Sequence, residues 1–279
     1  MVLKEAYQLA NELSKNSPMP QSEFEIIIEE TLETTKADKL LNGDMEISEQ
    51  KEKLLIKRFN ELKGGRPLQY ILGKWEFFGR SFCVGEGVLI PREDTMAAVE
   101  LCMRYLKKKK NPKFLDLGAG SGCISVTLSK ELNIKGYAVE KSEKAAEYLQ
   151  KNIKEHNADV EIVLGDMFDE KVKDSFEGLD LIVSNPPYIT KEDMLKLDEN
   201  VKREPHEALF GGDDGLDFYR EISKQYKNKL KKGGALVFEV GYNQMDSVID
   251  ILKQNGYCDF TEITDINAIR RAVLSIIGE

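Results

Sequence analysis

The run Leu179-Asp180-Leu181-Ile182-Val183-Ser184 reads as a strand and ends in Asn185-Pro186-Pro187-Tyr188. Two consecutive prolines hold the backbone and remove two N–H donors, so the turn offers carbonyl oxygens in a preset geometry. Asn185 adds a side-chain carbonyl and Tyr188 an aromatic face. This set suits a planar NH2 group. The lone pair of such a nitrogen is delocalised into a carbonyl or ring, which makes it a poor nucleophile until it moves toward tetrahedral geometry. The Asn185 side-chain oxygen and the Pro186 backbone oxygen can each accept one N–H and aim the lone pair at an electrophilic methyl. Charge developing on nitrogen is stabilised by both acceptors and by the Tyr188 ring. Asn185, Pro186 and Tyr188 are therefore the expected catalytic groups. An amide and an adenine amine present the same two hydrogens, so the tetrapeptide alone leaves both substrates open.

A methyl donor must sit beside that turn. Upstream, an apolar strand ends in Asp116-Leu117-Gly118-Ala119-Gly120-Ser121-Gly122 and runs into a helical pattern with Ile124, Val126 and Leu128. Glycines there let a ligand approach the backbone and leave a helix N-terminus open. The dinucleotide fingerprint would need glycine where Cys123 stands, which argues against a dehydrogenase. Glu140 closes the next strand, about twenty residues on, where a carboxylate can accept from both ribose hydroxyls. After the third strand comes Gly165-Asp166-Met167-Phe168; Asp166 can take an adenine amino group while Met167 or Phe168 covers the ring. In this order the three signals point to S-adenosyl-L-methionine, with S-adenosyl-L-homocysteine as product. The expected cofactor contacts are Gly118, Ala119, Gly120, Ser121, Gly122, Glu140, Asp166, Met167 and Phe168.

The elements that carry these loops alternate strand and helix from Pro91 onward. Strands are expected over residues 114–117, 136–140, 160–164, 179–184, 235–240, near Phe260 and over 272–277, with helices between them such as 142–155 and 216–230. Such alternation implies a mainly parallel sheet covered on both faces. The first seventy residues read as helices instead. Leu3, Tyr7, Ala10 and Leu13 form one stripe; Ser22-Glu23-Phe24-Glu25 looks like a capping box opening a second helix with Ile27, Ile28 and Leu32; and Leu54, Leu55, Phe59 and Leu62 lie in another, stopped by Gly64-Gly65. Residues 68–90, aromatic and β-branched with Gly73, Gly79, Gly85 and Gly87, suggest short strands and a hairpin. The expected division is a helical bundle over 1–73, a hairpin linker over 74–90 and an α/β domain over 91–279.

Composition narrows the function further. At 279 residues, with 41% hydrophobic and 32% charged, the chain suits two soluble globular domains. The N-terminus lacks the unbroken apolar core of a signal peptide, and no stretch has the length of a membrane span. Cys83, Cys102, Cys123 and Cys258 have no paired spacing, which fits a reducing cytoplasm. Two histidines without grouped carboxylates argue against a metal centre. A net charge of −9 argues against nucleic acid as a partner, and the lysines at 107–110 read as a solvated helix end. Trp75 reads as packing.

With these motifs in place the chain resembles the HemK/PrmC family, the protein-(glutamine-N5) methyltransferases that modify peptide-chain release factors. Beyond Asn185-Pro186-Pro187-Tyr188 the similarity includes Arg66-Pro67-Leu68-Gln69-Tyr70-Ile71-Leu72-Gly73, Glu76-Phe77-Phe78-Gly79 and Val88-Leu89-Ile90-Pro91-Arg92-Glu93-Asp94-Thr95. It continues through Glu204-Pro205-His206-Glu207-Ala208-Leu209 and Gly211-Gly212-Asp213-Asp214-Gly215-Leu216-Asp217. The tetrapeptide is shared with adenine N6-methyltransferases, the alternative reading on DNA or RNA; the flanking motifs are more specific. The resemblance implies a class I, Rossmann-like methyltransferase domain after a small helical bundle. It also implies that Asn185 touches the cofactor, and that Asn185, Pro186, Pro187 and Tyr188 hold the glutamine amide of a Gly-Gly-Gln loop. It further implies that the helical domain docks a class I release factor. Glu140 stands where the family more often has Asp, Met167 where it often has an aromatic, and residues 267–271 lack the family's usual Gly and acid. Residues 88–95 and 211–215 are expected to border the active-site crevice; otherwise they are a strand entering a helix capped by Asp94 or Thr95, and a flexible turn.

Overall fold

The computed structural model describes residues 1–265 and 267–278. They form two compact units, Met1–Lys74 with Asp198–Arg203, and Trp75–Leu197 with Glu204–Glu279.

The first unit is helical: α1 (Leu3–Lys15), α2 (Gln21–Leu32), α3 (Lys36–Leu41), α4 (Glu49–Lys63) and α5 (Leu68–Leu72). The stripe Leu3, Tyr7 and Ala10 is buried, as are Phe24, Ile27 and Ile28 of α2 and Leu55, Phe59 and Leu62 of α4. Phe24 and Phe59 meet edge to face at 5.5 Å. Leu54 lies off that face and is exposed. Ser22 does not cap α2. The helix starts earlier, behind Pro20 at φ −68° and ψ 149°, and Glu25 instead accepts from Gln21 at 3.0 Å and Lys39 at 3.1 Å. Gly65, at φ 78°, is the left-handed residue after α4. Residues 68–72 are helix where strand was expected. Pro67 precedes the first turn, Gly73 at φ 75° closes the last, and Leu68, Tyr70 and Ile71 are buried. The later segment joins this unit through Arg203, whose guanidinium donates to Gly64 O at 2.6 Å.

The second unit opens on the expected hairpin, β1 (Lys74–Phe77) and β2 (Arg80–Cys83), turned by Phe78 and Gly79, both at positive φ. Residues 84–90 continue as turns and irregular chain rather than strand. Trp75 packs on Val84, Val88 and Ala145. Then follow α6 (Met96–Leu106), β3 (Phe114–Leu117), α7 (Cys123–Leu132), β4 (Gly136–Glu140), α8 (Glu143–His156), β5 (Val160–Leu164), α9 (Glu170–Asp174) and β6 (Leu179–Ser184). The chain ends with α10 (Lys191–Met194), α11 (Asp217–Gln225), β7 (Leu230–Glu239), α12 (Met245–Gln254), β8 (Tyr257–Thr264) and β9 (Arg270–Ile277).

Among the described residues the sheet has seven strands in the order β5-β4-β3-β6-β7-β9-β8. Pairings from β5 through β7 are parallel, and β9 runs antiparallel to both β7 and β8. Side chains alternate across it. Leu115, Leu117, Ile182, Leu236 and Phe238 pack with residues of α11 and α12, whereas Phe114, Leu181, Val183, Ala235 and Val237 pack with residues of α6 and α7. The helix expected to reach residue 230 stops at Gln225, because Tyr226 turns into the core and donates its hydroxyl to Met167 O at 2.6 Å. β7 therefore begins at Leu230, which pairs with Leu179 ahead of a register shift.

Candidate active site

β3 and β6 lie side by side with Leu117 opposite Ser184, and the order of the sheet reverses between them. The Ser184 hydroxyl donates to Leu117 O at 2.7 Å. The glycine loop after β3 and the Asn-Pro-Pro turn after β6 thus leave the sheet together, at the switch point where open α/β sheets bind ligands. They open into a cavity of about 300 Å³.

The glycine loop forms one wall, with Gly118, Ala119, Gly120 and Ser121 lining the cavity. Gly122 stands behind it as the residue ahead of α7, at φ 81°, where a Cβ would run into the Leu149 side chain. Beneath the loop, Asp116 Oδ2 accepts the Ser125 N–H at 3.1 Å while its Oδ1 has no partner among the described residues. Burial pushes this carboxyl up to about 7, against the pull of Ser125.

Glu140 is buried at the mouth of the next strand. Its Oε2 accepts the Gly120 N–H and its Oε1 the Ser142 N–H, both at 2.8 Å, and each oxygen keeps capacity for another donor. Asp166 lines the cavity with Oδ1 on the Phe168 N–H at 2.9 Å and Oδ2 on Lys141 at 3.0 Å. Desolvation opposes its charge, but the Phe168 bond and Lys141 outweigh it and hold the carboxyl below its usual range. Met167, Phe168 and Phe218 supply apolar wall, the two phenylalanine rings 5.8 Å apart.

On the opposite side stand Asn185, Pro186 and Pro187. Asn185 donates from Nδ2 to Thr95 Oγ1 at 3.2 Å, which turns its Oδ1 away from Thr95. Tyr188 is not among the lining residues. Its ring lies against Gly241 and the core, its phenol is pushed up by burial, and its carbonyl accepts from Gln244 at 2.9 Å. Residues 88–92 and Thr95 line the cavity, and Thr95 does not cap α6 with its side chain. Glu204 ties that segment to Pro205, Glu207 and Ala208, also at the rim, by accepting the Ile90 N–H at 3.0 Å and pairing with Arg92. The glycines at 211–215 do not border the cavity as expected. They brace the turn from behind: Gly211 N–H donates to Ile189 O at 3.0 Å, Ile189 N–H to Leu209 O at 2.9 Å, and a Cβ on Gly211 would stand 2.6 Å from Pro187 O.

A parallel sheet with a reversal at β3/β6, a glycine cradle and an acid closing each of the next two turns define a methyltransferase fold. A family model described as the methyltransferase small domain matches residues 92–212, and one described as the PrmC N-terminal domain matches residues 5–73. A release factor glutamine methyltransferase of Fusobacterium nucleatum is 38% identical over 94% of this chain and 75% of its own. One of Bacillus cereus is 34% identical over 99% of both chains. A crystallised methyltransferase of Pyrococcus furiosus, 17% identical, shares the fold with a TM-score of 0.53 over 83% of this chain and 100% of its own. The chain belongs to the release factor glutamine methyltransferase family.

Sequence reasoning singled out the glycine loop, Glu140, residues 166–168 and residues 185–188; of these, residues 118–121, Glu140, residues 166–168 and residues 185–187 face one cavity, whereas Gly122 and Tyr188 do not line it. It gave no role to Asp116, Glu204 or Phe218. Glu204 stood in a motif of the resemblance, and Asp116 was legible as an acid inside an otherwise apolar strand.

Proposed function

We propose that this protein transfers the methyl group of S-adenosyl-L-methionine to the side-chain amide nitrogen of the glutamine in the Gly-Gly-Gln loop of class I release factors. The observation that carries the proposal is that a glycine loop and an Asn-Pro turn, which offers two acceptors, leave adjacent strands into one cavity. Family membership supports the glutamine amide over an adenine amine.

The residues present fit the cofactor. Glycine backbone at positive φ allows close approach, Glu140 has oxygen capacity for two ribose hydroxyls, and Asp166 beside Phe168 suits an adenine amino group. The bound sulfonium supplies an electrophilic methyl with a neutral thioether as leaving group. The chain's own part is orientation: Asn185 Oδ1 and the Pro186 carbonyl each take one amide N–H and pull the nitrogen out of conjugation. As the N–C bond forms, those acceptors face a nitrogen that is becoming cationic, which then releases one proton to leave the N-methyl amide. Phe168 and Phe218 keep water from the charges. Tyr188, set against Gly241, fits a supporting role for the turn better than a π face for the methyl.

We assign docking of the release factor to the helical unit, where Leu40 and Leu41 are 85% and 80% exposed on α3. The test is incubation with labelled S-adenosyl-L-methionine and a purified class I release factor, followed by mass spectrometry of the Gly-Gly-Gln peptide. One added methyl on glutamine is expected. Label on nucleic acid with none on the release factor would overturn the proposal.

A further inference from the structure

A carboxamide brings an oxygen as well as an NH2. That oxygen is a strong acceptor, and taking it out of water is costly unless the protein supplies a donor. The turn that would receive the NH2 is poorly equipped to do so. Pro186 and Pro187 have no N–H, and Asn185 already directs its Nδ2 to Thr95 Oγ1 at 3.2 Å. Thr95 is 1% exposed, so its hydroxyl presents almost no surface to a ligand.

Among the described residues lining the cavity, the cationic side chains are Arg92 and Lys141. Lys141 stands on the cofactor side, paired with Asp166 at 3.0 Å. Arg92 stands on the acceptor side. It precedes the short helical turn Glu93–Thr95, in which the Thr95 N–H donates to Arg92 O at 3.2 Å, and the Thr95 hydroxyl in turn holds Asn185. The Arg92 charge also offsets part of the burial that pushes up the Tyr188 phenol at the end of the same turn. Arg271 is no rival: it is tied to Asp94 at 3.1 Å and Asp265 at 3.0 Å, outside the lining.

The Arg92 side chain is 35% exposed and pairs through one amino nitrogen with Glu204, whose side chain is 2% exposed. The other Glu204 oxygen accepts the Ile90 N–H at 3.0 Å. A buried carboxylate engaged at both oxygens fixes the guanidinium, which has more N–H groups than this pair uses. We propose that Arg92 is a specificity-determining residue for the transfer: it donates to the side-chain carbonyl oxygen of the substrate glutamine while Asn185 and Pro186 take the NH2. This rests on the functional reading above. The carboxylate of the cofactor is the competing acceptor. The charges of Arg92 and Glu204 cancel, which suits a neutral carbonyl better than an anion, and α7 already opens onto the glycine loop with its N-terminal N–H groups. A donor at the oxygen favours the conjugated amide. It therefore strengthens binding of glutamine without assisting attack by nitrogen, and its loss belongs in KM rather than in kcat.

The test compares two release factors on the full-length protein loaded with S-adenosyl-L-homocysteine, one native and one with methionine in place of the Gly-Gly-Gln glutamine. Arg92→Ala is expected to weaken binding of the native factor about tenfold and to leave binding of the methionine form unchanged. In the transfer assay KM should rise about tenfold with kcat within about threefold, and Arg92→Lys should recover part of the loss. Equal weakening for both factors would assign Arg92 to docking or local structure and overturn the proposal. So would a fall in kcat at unchanged KM. A variant that loses affinity for S-adenosyl-L-homocysteine but keeps it for methylthioadenosine, which lacks the amino-acid end, would place Arg92 on the cofactor and also overturn it. If Arg92→Ala does not fold, Arg92→Lys decides by the same comparison of the two factors. A native protein that binds both factors alike and methylates neither would remove the functional reading. Glutamine methylation by the native protein, with full discrimination retained in Arg92→Ala, would remove the assignment of Arg92 alone.

Discussion

The two sides of the cavity draw their support from very different distances along the chain. On the cofactor side, Glu140 is held by Ser142 two residues away and Gly120 twenty residues away, and Asp166 by Phe168. On the acceptor side, Asn185 is held by Thr95 90 residues earlier, Tyr188 by Gln244 56 residues later, and Glu204 reaches back 114 residues to Ile90. Strand-end turns can shape the first side almost locally, whereas the second has its geometry only once the whole sheet is assembled. Binding and rate should therefore fail separately.

The sharpest break of that comparison is Asn185→Ala, expected to lower the transfer rate by about 100- to 1,000-fold while the chain still binds cofactor. Single-turnover transfer and cofactor titration on the same protein measure both quantities. Gly211→Val comes next. Its side chain would press on Pro187 O and Tyr188, shifting the turn from behind, and a rate loss on the order of 100-fold is expected from a displacement of about 1 Å. If its cofactor affinity falls as much as its rate, the two sides are not separable. Glu140→Ala is the mirror case, with affinity for S-adenosyl-L-methionine about 10- to 100-fold weaker and the saturated rate little changed.

A smaller effect concerns stability. Asp116 titrates near 7 in the folded chain and as an ordinary aspartate when unfolded, so between those values the folded state holds the extra proton. Stability should then fall as pH rises toward 7 and level off above it. Asp116→Asn keeps an acceptor for Ser125 and should flatten the melting temperature between pH 5 and 8; an unchanged slope would assign the effect elsewhere. The smallest change is expected from Leu41→Glu, which should raise KM for the release factor about three- to tenfold and leave cofactor binding alone.

Local sequence order is also what made one side legible. Glycine spacing, an acid at a strand end and a double proline each act within a few residues, so the Gly118 loop, Glu140, Asp166 and the Asn185 turn could be read in one dimension. Thr95 could be read only as a possible cap or a rim residue, because its partner Asn185 lies 90 residues further along the chain. Residues 211–215 looked like rim for the same reason: close approach of their backbone to Pro187 leaves no mark on neighbouring residues. The parallel sheet was legible because each strand was an apolar run. The helix over residues 68–72 was misread because aromatic and β-branched residues outweighed Pro67 and Gly73, whose positions marked its ends.

The segment Asp198–Arg203, which belongs to the helical unit, bears on how the protein is made. Arg203 supplies a donor to Gly64 O, yet about 140 residues of chain are synthesised between those two positions. The N-terminal helices can pack soon after they leave the ribosome, but their last loop stays open until most of the sheet has been translated. Completion of the first unit is thereby tied to the emergence of the second.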